Sequence, residues 1–141
     1  MPVIKACVAA ACLAAVGLAA FGCNNGGDST TTPSPQTVSE TFTGTVAVQG
    51  SDFHNFTVSA AGEVDITITA AGPPSTIFVS LAVGTPSGTT CTPIPTATIN
   101  TQAGAVPQLS GTANPGTLCV IVSDVGNFTA PITYSVTVVH P

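Results

Sequence analysis

Residues 116–141 read GTLCVIVSDVGNFTAPITYSVTVVHP, and this stretch decides the predicted fold. Apolar side chains alternate with polar ones in two segments of it. They are Leu118, Val120 and Val122 in the first segment, and Ile132, Tyr134, Val136 and Val138 in the second. A period of two is typical of strands that bury one face. The stretch therefore predicts two strands, and the dipeptide Gly126-Asn127 between them predicts a hairpin turn.

The residues upstream supply further segments of the same kind at short, regular spacing. The clearest is residues 63–70, where Val64, Ile66 and Ile68 alternate with polar side chains. Residues 84–95 are rich in Pro, Gly and Thr and predict a long loop. No segment has the 3.6-residue period of a helix. We therefore predict an all-β domain, an antiparallel β-sandwich of about eight strands over residues 38–141. The remaining strands are expected at residues 41–48, 52–60, 77–83, 96–101 and 108–112.

The first residues have the composition of a bacterial export signal. Lys5 precedes an uncharged apolar run, residues 6–21, which is shorter than the roughly 20 residues of a membrane-spanning helix. The run ends in Gly22-Cys23, which resembles the lipobox of bacterial lipoproteins. The resemblance implies a helical signal peptide over residues 1–22, cleavage before Cys23, and acylation of the Cys23 thiol by fatty acids such as palmitate. Ordinary signal cleavage nearby, which would leave Cys23 as a free thiol, is the alternative.

A linker is predicted between this leader and the domain. Residues 23–37 are dominated by Gly, Ser, Thr and Pro and contain no apolar side chain that would anchor a core. We therefore expect a flexible spacer that holds the domain away from a membrane of the cell envelope, facing the periplasm or the exterior. Asn24 replaces the Asp that favours retention in the inner membrane, so the lipoprotein resemblance implies the outer membrane if the organism is Gram-negative.

The charge balance argues against several classes of partner. Lys5 is the single basic residue among 141, and it lies in the predicted signal peptide; the rest of the chain has six carboxylates and two histidines. Binding of nucleic acid depends on Lys and Arg that neutralise phosphates, so we expect no nucleic-acid partner. Electrostatic attraction to anionic lipids fails for the same reason, which leaves the N-terminal lipid as the predicted membrane contact.

Two cysteines, Cys91 and Cys119, remain in the domain once the leader is removed. An even number of cysteines in an oxidising compartment predicts a disulfide. Alternation places Cys119 on the face opposite Leu118 and Val120, so the bridge would pin the predicted loop, which contains Cys91, onto the sheet. Closing a loop of ~29 residues contributes roughly 3–4 kcal/mol in the chain-entropy model. Redox chemistry and a metal site are disfavoured, because there is no C-x-x-C pair and no clustered histidine.

The titratable residues give little basis for catalysis. His54 is predicted to be a half-buried packing residue on the face shared with Asp52 and Phe56, and His140 is expected to be solvated. A triad of Ser51, His54 and Asp52 fails, because neighbours in one strand point to opposite faces. No nucleophile elbow, zinc-binding H-E-x-x-H or phosphate loop is present. We therefore predict that the protein is not an enzyme and uses no cofactor.

Four carboxylates could converge at loop ends, namely Asp52, Glu63, Asp65 and Asp124. Calcium prefers six to eight oxygen ligands, and the chain has no Asp-rich calcium loop. Asp52 and Asp124 are therefore only weak calcium candidates, and the prediction is no metal site. The alternative for these two residues is an Asx turn.

Two stretches of the domain resemble bacterial pre-peptidase C-terminal domains. The first stretch comprises Asp52, Phe56-Thr57-Val58, Ala61-Gly62 and the alternating strand that follows; the second comprises Pro115-Gly116-Thr117, the segment CVIV at 119–122 and the closing segment YSVTV at 134–138. The resemblance implies a small sandwich of jelly-roll type. Such domains accompany secreted enzymes and surface proteins, and some of them bind collagen or carbohydrate. We expect a lipid-anchored version without an attached catalytic domain.

Three functional hypotheses follow. The first is a membrane-anchored, extracytoplasmic module with a non-catalytic binding or adhesion role towards a carbohydrate or protein ligand. The second is a structural envelope component, or an accessory subunit that pairs with a partner protein through a sheet edge. The third, a small hydrolase or metal-dependent enzyme, requires a pocket that brings His54 together with two carboxylates.

Overall fold

The computed structural model describes residues 34–141. These residues form eight strands and, in this part of the chain, no helix. The all-β prediction is therefore confirmed. The predicted signal peptide, Cys23 and most of the linker lie outside the described residues. The strands are β1 (Val38–Val46), β2 (Ser51–Val58), β3 (Gly62–Gly72), β4 (Val79–Ser87), β5 (Thr90–Thr101), β6 (Leu109–Ala113), β7 (Gly116–Asp124) and β8 (Ile132–His140).

Nothing helical within residues 34–141 has the length and hydropathy needed to cross a membrane.

The strands form two antiparallel four-stranded sheets that face each other. Sheet 1 has the order β1-β8-β3-β6, and sheet 2 has the order β2-β7-β4-β5. This order is that of a jelly roll, as the sequence resemblance implied. The chain changes sheet at every connection except the one between β4 and β5. The edge strands are β1 and β6 in sheet 1, and β2 and β5 in sheet 2. The strands adjacent in sequence to β1, β2 and β6 all belong to the opposite sheet, whereas β5 follows β4 of its own sheet.

The predicted final hairpin is wrong. Strand β7 lies between β2 and β4 in sheet 2, whereas β8 lies between β1 and β3 in sheet 1. Residues 125–131 carry the chain from one sheet to the other. The carboxylate of Asp124 accepts hydrogen bonds from the backbone N–H groups of Gly126, Asn127 and Phe128, and Phe128 is buried in the core. The connection is thus a packed crossing, and the positive φ of +91° at Gly126 serves it.

The predicted loop at residues 84–95 is also wrong, because it forms the one hairpin of the described domain. Strand β4 continues to Ser87, and β5 begins at Thr90 after a turn in which Gly88 has a φ of +59°. Prolines are tolerated here because β5 is the edge of sheet 2 and needs no N–H on its outer side. The Pro, Gly and Thr content of residues 84–95 therefore led to the prediction of a loop where β4 and β5 pair.

The core lies between the sheets and consists of the inward members of the alternating segments. The predicted faces of β3 and β8 are confirmed, and β4 is buried on both faces at Leu81 and Ala82, as expected for a central strand. Val48 was expected in the first strand but lies beyond its end and is 43% exposed. Fully burying a Val, Leu or Ile side chain contributes about 1.5–3 kcal/mol. The largest fully buried aliphatic residues are Val46, Val58, Ile66, Ile68, Val79, Leu81, Val120, Val122, Ile132, Val136 and Val138.

A disulfide joins Cys91 to Cys119, as predicted, with the two Cα atoms 6.2 Å apart. Their strands are not neighbours, since β4 lies between β5 and β7. The bridge crosses β4 at Gly84, where an added Cβ would lie 2.8 Å from Sγ of Cys91 and would also clash with the carbonyl oxygen of Thr92. Gly84 therefore makes the crossing possible, and the bridge fastens a hairpin to sheet 2 where a loop was expected.

Candidate functional site

An apolar cleft opens between the sheets on the side bounded by the edge strands β5 and β6. Its volume is about 590 Å³, which lies within the range of about 300–1,000 Å³ of ligand pockets. Among residues 34–141, none of those that line it is charged or aromatic. The cleft is therefore suited to uncharged apolar groups. Its apolar lining consists of Val64, Ile66, Val83, Ile94, Ala97, Leu109, Ala113 and Leu118.

The cleft exists because β6 carries small residues at inward positions. Gly111 lies opposite Val64 of β3, and Ala113 lies opposite Gly62. An added Cβ at Gly111 would meet no heavy atom within 4 Å. A large side chain at Gly111 would project from a residue that lines the cleft and would occupy part of its volume. Gly111 is exposed, so the space beside it is open to solvent.

The other wall of the cleft comes from an irregular part of β5. Ala82 of β4 pairs with Thr98, whereas Gly84 pairs with Pro93, so residues 94–97 leave the regular ladder. The hydroxyl of Thr98 donates a hydrogen bond of 3.2 Å to the carbonyl oxygen of Ile94 and closes this bulge. Bulges at sheet edges change the direction in which side chains point. Here Ile94, Thr96 and Ala97 of the bulge line the cleft.

The opposite side of the sandwich, between the edge strands β1 and β2, is closed by a polar cluster. Tyr134 of β8 donates a hydrogen bond of 2.8 Å from its hydroxyl to Oδ2 of Asp52. The same hydroxyl lies 3.0 Å from Nε2 of His54. The ring of Phe42 stacks on that of His54 with centroids 5.0 Å apart and planes 9° from parallel. Gly44 of β1 lies so close that an added Cβ would be 2.7 Å from the Tyr134 hydroxyl oxygen.

The side chains of this cluster join the two sheets through hydrogen bonds. Tyr134 is 3% exposed, and burial, followed by its hydrogen bond to Asp52 and the charge of Asp52, raises its pKa above the ordinary range. The phenol therefore remains a proton donor at neutral pH. His54 is half-buried on the face it shares with Asp52, as predicted, and its Nε2 lies 3.8 Å from Oδ2 of Asp52. Within residues 34–141, Asp52 is the one carboxylate within 4 Å of the His54 ring nitrogens, so the second carboxylate required by the hydrolase hypothesis is not beside it.

The two weak calcium candidates, Asp52 and Asp124, both accept protein hydrogen bonds. Oδ1 of Asp52 accepts the N–H of Phe53 at 2.9 Å, and Oδ2 accepts the Tyr134 hydroxyl. Asp52 lies inside β2, so its predicted Asx turn is wrong. In the described part of the chain, no three side chains among His, Cys, Asp and Glu are grouped to hold a metal ion.

The Asx turn predicted for Asp124 is confirmed, because Oδ1 accepts the N–H of Gly126 at 2.7 Å. Oδ2 accepts the N–H of Gln49 at 2.8 Å and so connects the β7–β8 crossing to the β1–β2 turn. Desolvation alone would raise the pKa of Asp124, but hydrogen bonds from four backbone N–H groups outweigh it and lower the pKa. This carboxylate is therefore a structural anchor for two connections.

The prediction that His140 is solvated is wrong. Its side chain is 3% exposed, its Nε2 lies 2.8 Å from Oε1 of Glu40, and its ring centroid is 5.4 Å from that of Phe56. The alternation of β8 continues from Ile132 through His140, which is the signal that would have placed this histidine inside. His140 and Glu40 thereby join the end of β8 to the start of β1.

The cleft itself was missed by the sequence analysis, which predicted residues 108–112 only as a weak edge strand. The available signal was the placement of Leu109, Gly111 and Ala113 at every second position. Two small residues on the inward face of a strand leave room for a ligand, but this inference also requires knowing which face points inward.

Comparisons with models of known families and with curated proteins gave no match for this chain. The resemblances to bacterial lipoproteins and to pre-peptidase C-terminal domains therefore remain predictions.

Proposed function

We propose that this chain is a non-catalytic binding module, anchored to a membrane of the cell envelope through a lipid on Cys23 and facing the periplasm or the exterior. Its ligand is a protein that places uncharged apolar side chains in the β5–β6 cleft. The observation that carries this proposal is an open cleft with an apolar lining and no charged residue.

The lining favours a protein ligand over a carbohydrate. The polar residues of the lining are Thr96, Ser110, Thr112, Asn114 and Thr117, and the larger part of the surface is apolar. A sugar is covered with hydroxyl groups, and burying many of these against the apolar part, away from water, is costly. Aromatic rings, whose faces would cover the apolar side of a sugar, are not among the lining residues. Apolar side chains, by contrast, gain free energy when such a surface removes them from water.

The lack of a side chain at Gly111 supports the proposal that the cleft binds a ligand. An added Cβ at this position would meet no heavy atom of residues 34–141 within 4 Å, and Gly111 is one of the residues that line the cleft. Substitutions of this kind commonly stabilise proteins, and their usual cost is loss of function. A glycine at this position is therefore best explained by an occupant that needs the space.

The anchor is tested by metabolic labelling with a palmitate analogue in cells that produce the wild-type chain or Cys23→Ala. We expect label on the wild-type protein and none on the variant. Labelling of both proteins, or of neither, would contradict acylation at Cys23.

The ligand class is tested with the full chain in lipid nanodiscs, applied to arrays of neutral glycans and of peptides. We expect binding to uncharged, apolar peptides and loss of that binding in Gly111→Leu, which fills the cleft. Thr43→Leu, an exposed position on β1, is the matched control and should bind like the wild type. Glycan binding that Gly111→Leu leaves unchanged, or silence on both arrays, would contradict the proposal.

A further inference from the structure

We propose that the cleft and the free edge of β6 together receive one extended strand of a partner protein, with uncharged apolar side chains at alternate positions. This inference rests on the proposed function and adds the way in which the ligand is held. The partner's backbone pairs with β6, and every second side chain enters the cleft.

The first argument is the free edge of β6. In the described part of the chain, β6 ends sheet 1 and pairs with β3 on one side only. Ser110, Gly111 and Thr112 are exposed, and within residues 34–141 the backbone hydrogen bonds outside strand pairs involve none of residues 109–113. In a strand with one partner, alternate N–H and C=O groups point away from the sheet and remain available for a second partner.

The second argument is the spacing of the small residues. Gly111 and Ala113 are two positions apart on the inward face of β6. Side chains of residues i and i+2 in an extended strand are about 6.6–6.8 Å apart. An incoming strand that pairs with β6 therefore presents its own alternate side chains at the same spacing as these two small residues. Leu109, the next inward residue of β6, also lines the cleft.

The third argument is a difference between β6 and the other edge strands. Natural edges are usually blunted by short length, charge, proline or a covering element, and β6, with five residues, is the shortest of the eight strands. Strand β5 contains Pro93 and Pro95, and β1 contains Glu40. Strand β2 carries Asp52 in the cluster that closes the β1–β2 side. The sequence of β6, LSGTA, contains neither a charge nor a proline. An uncharged partner strand therefore meets no electrostatic barrier at this edge.

The test uses a fluorescently labelled peptide of alternating threonine and valine, long enough to span β6, and the full chain in nanodiscs. Two further peptides carry backbone N-methyl groups, one on the valines and the other on the threonines. Because alternate N–H groups of a strand point in opposite directions, only one of the two sets can face β6. We expect fluorescence anisotropy to show that one methylated peptide binds about tenfold or more weakly, while the other binds like the parent.

The variant Gly111→Leu should abolish binding of all three peptides while thermal unfolding shows that it remains folded. Binding that Gly111→Leu abolishes but that both methylated peptides retain equally would overturn strand pairing and leave the proposed function intact. Binding of none of the peptides to the wild type would contradict both. Self-association of the chain that Gly111→Leu abolishes would assign the edge to a second copy and overturn the assignment to a different partner protein.

Discussion

The hydroxyl of Tyr134 donates a hydrogen bond of 2.8 Å to Oδ2 of Asp52, and this bond connects the two sheets. Tyr134 belongs to β8 of sheet 1, and Asp52 belongs to β2 of sheet 2. The bond lies on the closed side of the sandwich, opposite the cleft. The domain therefore has one side that is fastened by polar contacts and one side that is open between aliphatic walls.

Tyr134→Phe should destabilise the domain by about 1–3 kcal/mol, because it removes the donor and leaves a partly buried carboxylate oxygen without it. Urea-induced unfolding followed by far-UV circular dichroism measures the loss. The control is Thr41→Val, which removes an exposed hydroxyl that lies 3.1 Å from that of Thr137 and should change stability by less than about 0.5 kcal/mol. Equal stability of Tyr134→Phe and the wild type would show that the bond contributes nothing.

Tyr134 should resist ionisation in alkali for as long as the domain stays folded. Burial and Asp52 raise its pKa, so the folded state holds the phenolic proton more tightly than the unfolded state. Its contribution to stability is therefore fully present below about pH 10 and declines as the pH rises further. The chain has one tyrosine and no tryptophan, so tyrosinate absorbance reports this residue alone. In urea it should titrate near pH 10, whereas ionisation at that pH in the native protein would show that the phenol is accessible.

Gly84→Ala and Gly111→Ala should have opposite effects on stability. At Gly84 the added methyl group meets Sγ of Cys91 at 2.8 Å and the carbonyl oxygen of Thr92, so we expect a loss of about 1–3 kcal/mol. At Gly111 it meets nothing within 4 Å, so we expect a gain of about 0.4–1 kcal/mol from the reduced entropy of the unfolded chain. Melting temperatures of the two variants give the comparison. A stabilising Gly84→Ala would mean that the disulfide does not pass over β4 as described.

Asp124 should make the stability of the domain depend on acid. Its pKa is lowered in the folded state, so its contribution is present above the unfolded value of about 3.8 and is lost as the pH falls through the folded value. Asp124→Asn removes this titration, and its stability should vary less with pH between about 5 and 2. Chemical unfolding at a series of pH values measures the difference. Parallel curves for wild type and variant would exclude Asp124 as a source of acid sensitivity.

The strand faces could be predicted from the sequence, whereas the sheet to which each strand belongs could not. Alternation identified the buried sides of β3 and β8, because period two depends only on which residues avoid water. The same pattern arises whether β7 and β8 form a hairpin or face each other across the core. Asp124 and Phe128 decide this question through contacts with residues outside the turn, and those contacts depend on the finished fold.

The hairpin of β4 and β5 was hidden for a different reason. Pro93 and Pro95 lack the N–H that a central strand requires, so their segment was predicted as a loop. They are compatible with pairing only because β5 is an edge, and edge position is a property of the sheet order. The disulfide was predictable because counting Cys91 and Cys119 requires no knowledge of that order. The cleft was not, since Gly111 becomes informative only once its inward face is known.

The position of β8 between β1 and β3 has a consequence for how the domain can form. Strand β1 pairs with β8 and with no other strand of the described domain, so it cannot join sheet 1 until β8 is present. Strand β8 is the last strand of the domain. In a chain that emerges from a ribosome or a translocation channel with its N-terminal end first, β3 and β6 can pair before β8 appears, whereas β1 cannot join sheet 1 until then. Such non-local pairing is slow, because the chain between the two strands must lose conformational entropy before the contacts between them can form and stabilise the pair. We expect sheet 1, and with it the sandwich, to be completed only after residues 132–140 have been released.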